Sequence, residues 1–485
     1  MSWREYHEAT KHSAGSLRHA PPYLDWANMP DPFRHYEGVP LLDLPADPPP
    51  PAIQALAVLQ GEFGDVAPDS NGAQFLSQLL FHSAAISAAK RVPSTGGKYA
   101  LRVNPSSGNL HPTEFHFVTR GLNGWPDGLY HYRASSHMAE QRALGDFTSQ
   151  LGFDAPLVFL LTSIAWREAW KYGARAYRYC LHDLGHAWQA LALAARALGC
   201  ESIATGQFRD DEVSRICRLN EDEWPMLAVS LFGPSIPPRS PDAGGMVWYG
   251  GAANRLSNET IGYPLIDGIH NGTKVVRQAG TAPSVERVRL PAVVSTNRGF
   301  GDVVRKRRSA LDFQGGTRSI SMAELSAILK AADEPLSADF AIARLVQLYL
   351  YVHRVDGLAP GVYRYLAGRG DLQLVVEGDQ RVAAAGLSLG QDLAGNACVA
   401  FSMIADLEGA ANTFGNRGYR YAHFEAGAIG HRMYLAAEAL GSRATGIGAF
   451  YDDRVHRYLR FEPGQGQVIY HFAIGHAVDD PRLDA

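Results

Sequence analysis

Cysteine is scarce in this chain. Four occur in 485 residues, Cys180, Cys200, Cys217 and Cys398, and no two form a C-x-x-C pair. That excludes a disulfide-stapled scaffold and a thiolate-bound metal. Long apolar runs are also absent. The longest, around residues 157–161, is too short to cross a bilayer. The opening Met1-Ser2-Trp3-Arg4-Glu5-Tyr6-His7 is polar and has no apolar stretch behind it. The expectation is a cytoplasmic, reduced protein with no membrane partner. Charge is thin: 19% of residues are charged and the net charge is −4. No basic stripe interleaved with aromatics is present, so a nucleic-acid partner is not expected. No G-x-G-x-x-G follows a strand, which argues against a separate dinucleotide domain. His182-Asp183-Leu184-Gly185-His186 puts two histidines one helical turn apart. A zinc hydrolase would need Glu where Asp183 stands and a third ligand downstream, so we assign no metal.

What is there is an ordinary globular composition, 46% hydrophobic. Residues 1–52 form a Pro-rich arm, with Pro21-Pro22 and Pro48-Pro49-Pro50-Pro51, expected to wrap the surface in extended form. A helix is predicted near residues 74–87. Strands follow at 114–119, 129–132 and 156–162. A long helix spans about 174–198, stopped by Gly199, and a last strand covers 226–232.

Then the pattern recurs. Gly173-Ala174-Arg175-Ala176-Tyr177-Arg178-Tyr179 returns as Gly415-Asn416-Arg417-Gly418-Tyr419-Arg420-Tyr421. Gly206-Gln207-Phe208-Arg209-Asp210-Asp211 returns as Gly448-Ala449-Phe450-Tyr451-Asp452-Asp453 at the same separation. A period this long marks a duplicated domain, not a solenoid. We place repeat 1 at 53–233, a Gly/Pro/Asn-rich connector at 234–292 and repeat 2 at 293–485. Arg175, Tyr177 and Arg178 persist in both copies, which argues for a structural role near the pseudo-twofold.

Three stretches carry chemistry. Pro105-Ser106-Ser107-Gly108-Asn109-Leu110-His111-Pro112 cannot be helix or central strand, because proline removes a donor and glycine loosens the backbone. It reads either as a plain turn or as a donor-rich loop aimed at a ligand. Arg305-Lys306-Arg307-Arg308-Ser309 is either a solvated basic run near a helix start or an anion grip. Lys171-Tyr172 is either a surface Lys beside a packed Tyr or an acid–base pair. Repeat 2 has Thr413-Phe414 at the positions of Lys171-Tyr172, and Ala338-Asp339-Phe340-Ala341 where repeat 1 has Pro105-Ser106-Ser107-Gly108. Repeat 1 has no counterpart of the basic run. The losses are complementary.

The loop from Pro105 to Glu114 resembles the flavin-contacting loop of the nitroreductase superfamily. It is closest to the SagB-type dehydrogenase branch, which includes azoline oxidases. The opening Tyr6-His7-Glu8-Ala9-Thr10-Lys11-His12 is similar to the start of that branch. The resemblance implies an α+β fold of two tandem nitroreductase-like domains packed as a pseudo-dimer, with FMN between them. It implies that Arg307, Arg308 and Ser309 grip the FMN phosphate, and that Pro105, Ser106, Ser107, Gly108 and Asn109 flank the ring. Gly446, Ile447 and Gly448 would lie near the isoalloxazine, and Lys171 and Tyr172 would be catalytic. One cleft should then be complete and its pseudo-equivalent dead. The implied function is oxidation of a peptide-derived or small heterocyclic substrate. The alternatives are an NAD(P)H-dependent nitro or enone reductase and a flavin-free scaffold. Further homodimerisation of the fused chain is left open.

Overall fold

The computed structural model describes residues 1–18, 23–65, 71–92, 96–234, 236, 245–277, 296–461 and 464–483. Residues 237–244 and 278–292 of the connector and the boundary assigned at 292/293 lie outside the described residues, while its middle carries a short helix, Pro264–Gly272. Repeat 1 builds its main sheet from β1 (Thr113–Thr119), β2 (Gly128–Arg133), β3 (Met138–Leu144), β4 (Leu157–Ser163), β5 (Glu201–Thr205) and β6 (Trp224–Phe232), in the order 3-2-1-4-6-5. Repeat 2 supplies β7 (Val346–Val352), β8 (Gly361–Leu366), β9 (Asp371–Glu377), β10 (Val399–Ala405), β11 (Arg443–Ile447) and β12 (Gln467–Gly475), in the matching order 9-8-7-10-12-11. All these pairings are antiparallel. Even a register shift recurs, at Leu129/Tyr130 in one sheet and Val362/Tyr363 in the other. Two short strands, Leu41–Asp43 and Val247–Trp248, extend the first sheet along β3.

Five helices matter for the site. They are α1 (Trp3–Ala9), α2 (Ala165–Tyr172), α3 (Ala176–Ala197), α4 (Phe300–Lys306) and α5 (Gly418–Ala439). α3 and α5 are matched segments of the two repeats, and both are buried almost throughout. They cross at Gly185 and Gly427, which are also matched. A Cβ on Gly185 would sit 2.3 Å from the Phe424 carbonyl oxygen, and one on Gly427 would sit 2.2 Å from that of His182. Backbone meets backbone there, which only glycine permits. Gly427→Leu should therefore force the helices apart and cost at least about 1–3 kcal/mol, read as a drop in the denaturant midpoint.

Matched ion pairs cross the same interface. Arg175 and Arg178 of repeat 1 reach Asp452 of repeat 2 at 3.1 and 2.8 Å. Arg417 and Arg420 of repeat 2 reach Asp210 of repeat 1 at 2.8 and 2.7 Å. The arginines retained in both copies hold the two halves together.

The arm is not simply extended. It opens with α1, whose Ser2 and Glu5 form a capping box. Further along, Arg34 and Tyr36 dock on repeat 1 through buried polar groups. Tyr36 donates its N–H to Glu140 and its hydroxyl to Glu223. Glu223 accepts from His116, and His131 lies between Glu114 and Glu140. Burial alone would raise the pKa of Glu114, but Arg167, the His131 hydrogen bond and Arg102 outweigh it and bring it to about 2. A depressed carboxylate stabilises the fold fully above its ordinary value near 4.5. That stabilisation is lost as pH falls from there toward about 2. Glu114→Gln should lower stability at neutral pH and flatten the acid limb of a denaturant-midpoint-versus-pH curve.

The basic run also sits differently from expectation. Arg305 and Lys306 occupy the last turn of α4 and Arg307 is its C-cap, so the cations face a helix C-terminus rather than a start. Cations are favoured there by the helix dipole.

Candidate functional site

The loop after residue 104 is held from below by one carboxylate. Asp183, on α3, accepts from Ser106 Oγ at 2.6 Å, from Ser107 N–H at 3.0 Å and from Ser107 Oγ at 2.9 Å. Ser106 Oγ in turn accepts the His111 N–H at 2.8 Å, and Asn109 Nδ2 donates to the Ala100 carbonyl. The serine hydroxyls therefore set the loop's shape, and Gly108 is left exposed at its tip. Gly108 has φ +59°, and a Cβ there would lie 2.7 Å from Tyr172 Oη and 3.0 Å from Lys171 Nζ. Lys171 and Tyr172, at the end of α2, thus meet the loop.

Asp183 does not stand alone. Glu168, also on α2, is fully buried and neither of its carboxylate oxygens has a donor. Burial and then Asp183 raise its pKa well above the ordinary range. Burial pushes Asp183 to about 6 despite its hydrogen bonds to the two serines. The pair can share a proton directly beneath Lys171 and Tyr172. Burial, then Glu168, raises the Tyr172 phenol too, which keeps Tyr172 a hydrogen-bond donor. Asp183→Ala would strand three donors. Faster hydrogen exchange at the Ser107 amide is the expected result, with a cost of about 1–3 kcal/mol to the loop.

Repeat 2 supplies the facing wall. Arg307 is buried and donates through Nε to the Val103 carbonyl at 3.0 Å, just ahead of the loop. Its Nη1 is buried without a partner. Arg308 donates to Ser87 and to carbonyls of its own turn. Burial, then Arg307 and Arg443, push it down to about 10. Ser309 is exposed and its hydroxyl lies 2.9 Å from that of Tyr434, which also accepts the Gly446 N–H at 2.7 Å. Gly446 and Gly448 are half-buried. Their close neighbours are this chain's own tyrosines. A Cβ on Gly446 would lie 2.0 Å from Tyr470 Oη, and one on Gly448 would lie 2.3 Å from the Tyr179 ring. Ile447, between them, is buried. Tyr179 donates to the Gly448 carbonyl and packs edge-on against Tyr172, joining the two walls at one end.

The pseudo-equivalent cleft is closed. Ser337 and Asp339 hydrogen-bond the backbone of Ala204, and the Asp339 carboxylate accepts the N–H groups of Gly206 and Gln207 at 2.8 and 3.0 Å. Phe340 is buried and stacks on Tyr421, with centroids 4.3 Å apart. The segment matched to the Ser-Ser-Gly loop thus fills its cleft. In the open cleft, Ser106 stands where Asp339 does, and its hydroxyl turns away to Asp183.

Sequence reasoning missed Glu168, Tyr434 and Tyr470, and set Asp183 aside as the wrong residue in a zinc motif. A buried carboxylate on a helix gives no local signal; only tertiary contact reveals it. His182 and His186 lie in the interface. His182 stacks on Tyr470, and His186 Nε2 lies 3.1 Å from the Tyr470 hydroxyl. Among the described residues no group of three His, Cys, Asp or Glu is placed to hold a metal. No helix among them is long and apolar enough to cross a membrane.

The sequence model of the Nitroreductase family matches residues 82–233 and again 304–476. A solved structure of a candidate nitroreductase from Anabaena variabilis superposes with a TM-score of 0.79 at 26% identity, covering 99% of this chain and 100% of that one. A candidate nitroreductase of Methanocaldococcus jannaschii is 28% identical over 187 residues, which is 37% of this chain and 88% of its own length.

Proposed function

Since the chain belongs to the nitroreductase family, with its domain present twice, we propose that it is an FMN-dependent oxidoreductase of the SagB type with one working cleft. The observation that carries this reading is the meeting of two complementary halves. Arg307 of repeat 2 touches the backbone that leads into the Ser106-Ser107-Gly108 loop of repeat 1, while the opposite cleft is closed by Asp339 and Phe340.

The residues fit the cofactor. The unpartnered Nη1 of Arg307, the cation of Arg308 and the exposed Ser309 hydroxyl form an anion end. Pro105 to Asn109 and Gly446 to Gly448 would line the ring end. FMN bound there would supply hydride chemistry. The protein's part is orientation and proton handling. Tyr172, kept protonated, would donate to a substrate heteroatom. Lys171 stands exposed at the mouth, with Nζ 5.2 Å from the Tyr172 ring centre, and would take the substrate proton as a neutral amine once bound substrate and flavin shield it from water. The Glu168–Asp183 pair would supply a buried proton store behind them.

The substrate we propose is a peptide-derived or small heterocyclic molecule whose C–N or C–C bond is oxidised. The exposed mouth at Gly108 and Lys171 suits a substrate presented from solvent. The test is turnover of a thiazoline- or oxazoline-containing peptide under air. Lys171→Ala should retain flavin and lose roughly a hundredfold or more in turnover. Full activity in that variant would move the base elsewhere. Bleaching of the flavin by NADPH without azoline turnover would instead favour a nitro or enone reductase.

A further inference from the structure

The closed cleft is not closed along its whole length. Beyond the Ser337–Ala341 plug lies a cavity of about 310 Å³ between the repeats. Its floor is Trp188, Gln189 and Cys200 of repeat 1 and Arg432 of repeat 2, all buried. Arg196 and Glu201 stand toward the mouth. The location follows from the duplication. Ala192, Arg196, Glu201 and Ser202 line it, and they match Tyr434, Glu438, Arg443 and Ala444, which surround Arg307 and Ser309 in the open cleft. The cavity is therefore the anion end of the second cleft, left behind when its ring end was filled.

It has not lost its positive charge. Arg432 has five N–H donors. The acceptors it meets are neutral: the Gln189 side-chain oxygen and the carbonyls of Glu334 and Pro335. Burial, then Arg196, push it down to about 9. Arg196 donates to the Val58 carbonyl and lies over the Phe63 ring. Among the described residues, no carboxylate comes within ion-pair distance of either guanidinium. The side chain of Glu334 turns toward Gly61 instead. Glu334 acts on both guanidiniums and Glu425 on Arg432 only from beyond ion-pair distance, and Glu201 stands at the mouth, so neither cation has a paired carboxylate and a bound anion would supply one. Trp188, Ala192, Leu193 and Phe63 give the cavity an apolar side, and Glu201, Ser202 and Ser337 belong to its polar remainder.

We propose that this cavity binds a small organic anion, a phosphate or carboxylate head on a compact apolar body, with Arg196 and Arg432 on the head and Trp188 beside the body. The site is distinct from the open cleft, and the inference stands whether or not that cleft binds flavin. Calorimetric titration of the full chain as purified, with phenyl phosphate, benzoate and inorganic phosphate, tests it. One saturable site per chain is expected for phenyl phosphate or benzoate. Inorganic phosphate should bind roughly tenfold or more weakly, lacking the body. Arg196→Gln should weaken the organic anion roughly tenfold or more, and Ala192→Trp, which fills the cavity, should abolish binding. The surface variant Arg457→Gln should change nothing. Equal affinity for inorganic phosphate would reject the apolar body. No saturable binding, or full binding in both Arg196→Gln and Ala192→Trp, would overturn the site.

Discussion

Asp452→Ala is expected to destabilise the protein by roughly 3–5 kcal/mol, the cost of stranding buried charges without their partner. Asp452 is fully buried and takes Arg175, Arg178 and the N–H of His12 at once. Burial would raise its pKa, but the two arginines outweigh it and hold it at about 2. Without it, two buried guanidiniums face each other with no counter-charge. Asp210→Ala should behave alike, since Asp210 does the same for Arg417 and Arg420. The neighbour Asp453 is the control. It is mostly exposed and, among the described residues, its ion pair is with Lys11 alone, so Asp453→Ala should cost less than about 1 kcal/mol. Denaturant midpoints of the three variants would check this. Similar losses for Asp452→Ala and Asp453→Ala would mean that the crossed pairs do not hold the halves together.

Arg308→Ala is expected to release FMN. One charge-assisted contact is worth roughly 1.5–3 kcal/mol, which is about a ten- to hundredfold weaker flavin affinity. Both arginines also tie repeat 2 to repeat 1, Arg307 through the Val103 carbonyl and Arg308 through Ser87, so a denaturant midpoint measured beside the affinity separates a lost anion contact from a loosened interface. Burial, then the neighbouring Arg307 and Arg443, push Arg308 below its ordinary pKa, and an anion among the three would oppose that. Flavin fluorescence titration of refolded apoprotein reads the affinity directly. Unchanged affinity would remove the phosphate assignment.

Much of the fold was legible because the duplication repeats both pattern and spacing. Strand Leu157–Ser163 is a continuous apolar run, and helix Ala176–Ala197 has periodic apolar positions with Gly199 as a stop, so both gave local signals. Strand Met138–Leu144 did not. Its Glu140, Gln141 and Arg142 are buried in polar contacts, so it lacks the usual alternation. The hairpin of Ile86–Arg91 and Lys98–Arg102 is only partly buried on either face and also gave no pattern. Helix α2 was hidden because Arg167 and Glu168, polar by type, are buried within it.

The candidate site was legible where residues act through their own backbone neighbourhood. The Ser106-Ser107-Gly108 loop and the Arg307-Arg308-Ser309 run are of that kind. The residues that hold them were not. Asp183 lies far along the chain from Ser106, and Tyr434 joins Ser309 to Gly446 from the C-terminal part of α5. The counterpart segment at Ala338–Ala341 could be seen to lack the loop motif. That Asp339 and Phe340 would themselves occupy the cleft could not be seen without the fold.

The most direct test of a single working cleft is flavin counting. The purified chain is reconstituted with FMN, freed of excess, denatured, and its released flavin measured against protein. One FMN per chain is the predicted result. None, or two, would contradict it: the first by removing the cofactor, the second by showing that the cleft filled by Asp339 and Phe340 still opens.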